Sequence, residues 1–195
     1  MAENNSFIYI YIAKSGSFAL DDNAPTILKK ELSKIKSKSL IEQKTSAYGL
    51  LAYAVKKELG FEIELEKIQK DQRGKPFYPD FCISFSHTKD LVAVAFSKNN
   101  IGIDIEEVKE TKIFKDPERK LLFEGESVNG LESAAALWTK KEAIYKYDDN
   151  IETFVPSKIN TNKYSTITRK VVFDNKTFYV SLASGNTENA KIVQL

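Results

Sequence analysis

Apolar residues alternate with polar ones over several short stretches of this chain and recur every three or four positions over others, and the two periods divide it into predicted strands and helices. The run from Phe7 to Ala13 reads as a buried strand. Pro25, after Asn23 and Ala24, opens a helix carrying Ile27, Leu28, Leu32 and Ile35 at helical spacing. Ser39 with Glu42 three residues on fits a capping box, and Leu40, Ala47, Leu50, Leu51, Ala54 and Val55 form a stripe that stops at Gly60. Residues Glu62 to Ile68 read as a strand, and the run from Asp71 to Pro76 interrupts the pattern with polar, Gly and Pro residues.

Three strand-like runs follow closely, Cys82 to Ser86, Leu91 to Phe96 and Ile101 to Glu106, with connections short enough for a meander. The charged stretch from Glu110 to Asp116 reads as irregular. A helix is expected after Pro117, carrying Leu121, Leu122 and Phe123, and a longer one from Leu131 to about Tyr147 buries Leu131, Ala134, Ala135, Leu137 and Trp138. The rest is β-rich: Val171 to Phe173 and Phe178 to Leu182 flank Asp174-Asn175-Lys176 as a hairpin, and Lys191 to Leu195 reads as a closing edge strand. The class is α+β, with residues 1–100 and 101–195 as two halves of helices and a small antiparallel sheet, although no residue-level repeat relates them.

With 195 residues, 42% of them hydrophobic and 29% charged, the chain has the composition of a globular protein with an ample core. Lys and Arg total 29 against 27 for Asp and Glu, a formal net charge of +2, which gives no basis for a nucleic-acid partner. One cysteine, Cys82, and one histidine, His87, exclude an internal disulfide and a Cys/His zinc cluster, and point to a reducing, cytoplasmic setting. No apolar run has the length of a membrane span, and the first strand lacks the basic flank of a signal peptide.

The unusual chemistry lies in Ile101-Gly102-Ile103-Asp104-Ile105-Glu106. On a strand the isoleucines take one face and the two carboxylates share the other, about 7 Å apart. Like charges so placed raise each other's pKa unless solvent or a cation relieves them, and a hard divalent cation suits oxygen ligands. A solvated amphipathic strand gives the same pattern. On the later helix, Trp138, Glu142 and Lys146 fall at i, i+4 and i+8, which is either a stabilising surface pair or a row aimed into a site. Lys29, Lys30, Lys34, Lys36 and Lys38 read as a solvated helix face before an anion site. His87, between the hydroxyls of Ser86 and Thr88 at a strand end, is either structural or an anion donor.

Taken in order, Gly74-Lys75-Pro76, Ser86-His87-Thr88, Gly102-Ile103-Asp104-Ile105-Glu106 and Trp138-Thr139-Lys140-Lys141-Glu142-Ala143-Ile144-Tyr145-Lys146 resemble the motifs of Sfp-type 4′-phosphopantetheinyl transferases. The resemblance spans Gly74 to Lys146. It implies a pseudo-dimer of two α+β halves with the active site between them, a single chain per site, and Mg²⁺-dependent transfer of the phosphopantetheine arm of coenzyme A to a serine of an acyl or peptidyl carrier protein, releasing 3′,5′-ADP. By similarity Asp104, Glu106 and Glu142 hold Mg²⁺, Glu142 activates the acceptor serine, and Lys146 neutralises pyrophosphate charge. Lys44, Gly74, Lys75, Pro76, Ser86, His87 and Lys141 are implied in coenzyme A binding, with Lys141 alternatively facing the carrier.

The chain departs from the type in offering Lys44 where an arginine often reaches the 3′-phosphate, Thr88 where serine is common, and a short connection from Glu106 to Trp138. A non-catalytic coenzyme A or carrier-binding module and a Mg²⁺-dependent phosphodiesterase or nuclease are the competing readings.

Overall fold

A computed structural model of the protein describes residues 7–20, 24–111 and 116–195. Asn23, at the expected entry of the first helix, and residues 112–115 of the charged stretch lie outside the described residues. In chain order the elements are β1 (Ile8–Lys14), α1 (Thr26–Leu32), α2 (Lys38–Leu59), β2 (Gln69–Lys70), β3 (Pro76–Tyr78), β4 (Phe81–His87), β5 (Leu91–Ser97), β6 (Ile101–Glu107), α3 (Pro117–Lys120), α4 (Gly130–Tyr147), β7 (Ser165–Phe173), β8 (Lys176–Ser184) and β9 (Ala190–Gln194). The protein is therefore α+β, as its pattern predicts. It divides into two compact units, Met1–Asn99 with Asn189–Leu195, and Asn100–Glu188.

The first unit is built on a sheet of order β2-β3-β4-β5-β1-β9. Of the expected three-strand meander only the β4–β5 hairpin forms, from Cys82 opposite Ser97 to His87 opposite Val92, whereas the third run, β6, pairs with β8 in a second sheet. Its turn is closed by the Thr88 hydroxyl, which accepts from the Leu91 N–H at 3.0 Å and the Asp90 N–H at 3.3 Å. Helix α2 lays Ala47, Leu50, Leu51, Ala54 and Val55 into the core with Tyr11, Ile83, Val92, Val94 and Phe96, and ends at Gly60, whose φ of 77° is the left-handed conformation that glycine adopts without strain.

Three local expectations shift. The cap of α2 is Ser37, whose side chain accepts from Leu40 N, while Ser39 instead accepts from the Gln43 amide at 3.0 Å. Residues 62–68 form a single 3-10 turn, Leu65–Lys67, with Ile63 and Ile68 anchored in the core on either side. A Lys67–Glu64 ion pair three residues apart, at 2.6 Å, fits a turn and not a strand. The terminal strand β9 joins the first unit by pairing in parallel with β1, from Ile8 opposite Ala190 to Ile12 opposite Gln194. This covers the open edge of β1, a long-range pairing that no local periodicity reveals. Lys191 on β9 and the Tyr11 hydroxyl on β1 both donate to Glu58 at the end of α2, the lysine at 2.8 Å.

The second unit packs α4 on the sheet β6-β8-β7. Asp104 lies opposite Ser181 and Glu106 opposite Tyr179 on β8. The β7–β8 hairpin turns through Asp174 and Asn175, both with positive φ (47° and 59°), the conformation that two-residue hairpin loops require and that Asp and Asn tolerate. The α4 stripe differs from the expected one. Ala134 and Ala135 are buried as predicted, but the stripe continues through Thr139, Lys141, Ala143 and Ile144, while Leu131, Leu137 and Trp138 are half-buried. At its C-terminal end the Asn100 side-chain amide donates to the Tyr147 carbonyl at 2.5 Å, satisfying an oxygen the helix leaves without an internal partner. Among the described residues no helix is long and apolar enough to cross a membrane.

Candidate functional site

The second unit brings the acidic strand and the acidic helix together because Gly102 permits it. Gly102, Asp104 and Glu106 share the face of β6 that α4 covers, and a Cβ at Gly102 would fall 2.1 Å from the Ala143 carbonyl oxygen and 2.6 Å from the Tyr147 nitrogen. Only a residue without a side chain lets the helix backbone rest on the strand at this point. Glu142 and Lys146, one helical turn apart and next in sequence to these two contact residues, then reach the carboxylate cluster.

Lys146 is the hub of the resulting cluster. Its Nζ donates to Asp104 Oδ1 at 2.7 Å and to the Ile103 carbonyl at 3.0 Å, and stands 3.9 Å from Glu142 Oε2. Asp104 is almost fully buried, at 2% exposure. Burial above all, and next the Asp104 charge, push the Glu106 carboxyl up to about 7, against a smaller opposing pull from Lys146. The same two causes push Glu142 up to about 7. Trp138 completes the row: its indole N–H donates to Glu106, and its ring sits edge-on to Phe154 at 5.2 Å. The sequence placed Trp138 both in the apolar stripe and in the row with Glu142 and Lys146, without assigning it a partner or a role of its own.

Among the described residues no group of three or more His, Cys, Asp or Glu side chains is arranged to hold a metal ion by itself. The donor set nevertheless fits Mg²⁺, which takes one or two carboxylates and completes its shell with phosphate oxygens and water. The raised carboxyls of Glu106 and Glu142, set beside the Asp104 charge, form a concentration of negative charge that a divalent cation would relieve.

Lys141, expected at the coenzyme A site or the carrier surface, is fully buried in this unit. Its Nζ donates to the carbonyls of Leu121 at 2.8 Å, Pro156 at 2.9 Å and Ile159 at 3.0 Å, and pairs with Glu126 Oε2 at 2.5 Å. Burial pulls the ammonium's pKa down and Glu126 opposes it. Burial acts to raise the Glu126 carboxyl, but bonds from Lys141, the Phe123 N–H and Thr161 together hold it below its ordinary value.

The remaining expected residues lie in the first unit. Lys44 on α2 pairs with Glu31 of α1 at 3.4 Å, and Glu31 also takes Lys70 of β2. Gly74-Lys75-Pro76 belongs to a tight turn in which Asp71 Oδ1 accepts from the N–H of Arg73 at 2.9 Å and of Lys75 at 2.8 Å, with Gly74 at φ 79°. Ser86 and His87 end β4, with Ser86 buried and His87 half-buried. The five lysines at 29, 30, 34, 36 and 38 are all exposed, as a solvated face requires.

Residues 100–183, from the start of β6 into β8, match the family model of the 4′-phosphopantetheinyl transferase superfamily. The match includes Asp104, Glu106, Trp138, Lys141, Glu142 and Lys146. No curated protein matches the chain.

Proposed function

We propose that the protein is an Sfp-type transferase that moves the 4′-phosphopantetheine arm of coenzyme A to a serine of an acyl or peptidyl carrier protein. The observation that carries this is the convergence of Asp104, Glu106, Glu142 and Lys146 on one face of β6 and α4, within the matched segment. In the reaction the serine hydroxyl oxygen attacks the pantetheine-side phosphorus of the pyrophosphate, the bond from that phosphorus to the bridging oxygen breaks, and 3′,5′-ADP leaves.

Asp104, Glu106 and Glu142 would hold Mg²⁺, which when bound supplies charge neutralisation at the pyrophosphate. Glu142, facing Asp104 and Lys146 at the part-exposed end of the cluster, would take the serine proton, directly or through a water. Lys146, part-exposed beside Asp104, provides positive charge where the leaving group develops its negative charge. Trp138 holds Glu106 in orientation through its N–H. In the first unit Lys44, Gly74, Lys75, Pro76, Ser86 and His87 are the candidates for holding coenzyme A, and a pseudo-dimeric monomer acting in the cytoplasm completes the reading.

Incubation with coenzyme A, Mg²⁺ and a panel of apo acyl and peptidyl carriers, followed by intact-mass measurement, tests it. Gain of one phosphopantetheine per carrier supports the proposal. No gain across the panel contradicts it, and coenzyme A binding without transfer would make the protein a binding module.

A further inference from the structure

A lysine at a fully buried helix position is costly: removing an ammonium from water costs several kcal/mol even after relaxation, and the cost is offset only where the group is completely hydrogen-bonded. Lys141 meets that condition. Its three N–H donors are matched by the carbonyls of Leu121, Pro156 and Ile159, and its charge by Glu126. Those partners come from two stretches separated from α4 in sequence, the turn 121–126 and the segment 156–161. Glu126 ties the same two stretches to each other, accepting from the Phe123 N–H at 2.9 Å and the Thr161 hydroxyl at 2.8 Å. The knot thus joins three stretches of the chain at one ammonium, and Lys141 is the next residue to Glu142. Successive helix positions differ by about 100° in azimuth, so whatever fixes the rotation of α4 at Lys141 also fixes where Glu142 and Lys146 point.

We propose that Lys141 is a positioning residue whose buried ammonium, with Glu126 as counter-charge, holds the turn of α4 bearing Glu142 and Lys146 in register with β6, and that it does not contact coenzyme A. The inference uses the transferase reading for its kinetic readout, while its structural readout needs no substrate.

The test compares the wild-type chain with Lys141→Met, which keeps the length and packing of the stem, with Glu126→Gln, which keeps the shape of the counter-charge, and with the double variant. Hydrogen exchange on each protein alone is expected to show about 10-fold faster exchange at residues 142–146, as well as at 121–126 and 156–161, in both single variants, with the double no worse than the more severe single. In transfer assays both singles should lose roughly 10- to 100-fold in kcat, with the KM for coenzyme A within about twofold of wild type, because misplacement of a catalytic group costs turnover and not substrate binding. Unchanged exchange at 142–146 overturns the proposal whether or not the wild-type chain transfers anything. A KM that rises in Lys141→Met but not in Glu126→Gln overturns it in favour of a ligand contact, and an unchanged kcat overturns it in favour of a purely structural role. If the wild type shows no transfer, the transferase reading fails and the exchange result still decides the positioning claim.

Discussion

Gly102 lies directly under Ala143, so close that a single methyl group on the strand would fall 2.1 Å from the helix carbonyl. This contact sets the distance between β6 and α4, and with it the reach of Glu142 and Lys146 to Asp104. Gly102→Ala is expected to force the helix outward, with a loss of about 1–3 kcal/mol from overpacking. Urea unfolding measures that loss. Transfer activity should fall further than stability does, because the carboxylates separate even in the folded fraction.

Glu142→Gln keeps the shape of the side chain and removes the carboxylate proposed as metal ligand and proton acceptor. Transfer should drop by about 10²- to 10⁴-fold, the usual contribution of a positioned base. Stability should move the other way. Burial and the neighbouring Asp104 both disfavour the ionised form of Glu142, so removing its charge is expected to raise the melting temperature measured in a chelator at neutral pH or above. A variant that is inactive and more stable is the signature of a site held under repulsion for the sake of its chemistry.

The Glu126–Lys141 pair gives a pH prediction. The folded protein holds the Glu126 carboxyl below its ordinary 4.5, so its contribution is fully present above that value and is lost as the pH falls through the lower, folded one. Wild-type stability should therefore decline from pH 5 towards pH 3 more steeply than that of Glu126→Gln, which lacks this titration and starts from a lower plateau. Urea midpoints across this range, wild type against variant, isolate the effect from the other carboxylates whose pKa values are also lowered. Parallel curves would contradict it.

The β7–β8 turn is a simpler case. Asn175 adopts φ 59°, which Ala reaches only with strain and Gly reaches freely. Asn175→Ala should cost about 1 kcal/mol and Asn175→Gly little or nothing, as read by thermal unfolding.

Much of this was legible in the chain. The alternation over Ile101 to Glu106 and the row Trp138, Glu142, Lys146 identify the two faces that meet, because strand and helix periods are local properties of sequence. The hairpin at Asp174-Asn175 and the stop at Gly60 were legible for the same reason. What stayed hidden depends on residues far apart in sequence. The parallel pairing of β9 with β1 needs partners as far apart in sequence as Ile8 and Ala190. The role of Lys141 depends on carbonyls from two distant loops, although a lysine three residues after Trp138 and three before Ile144, on the apolar stripe itself, was a visible anomaly. Gly102 carried a readable signal too, since a lone glycine in a strand marks the close approach of another backbone.

The central claim is most directly tested by following both products of one reaction: 3′,5′-ADP in solution and the modified serine of the apo carrier, located by peptide fragmentation, with Mg²⁺ and with chelator. A transferase predicts the two in equal amounts, dependent on Mg²⁺ and abolished by Glu142→Gln. Release of 3′,5′-ADP with no modified serine would show hydrolysis instead of transfer, and neither product from any carrier would contradict the account altogether.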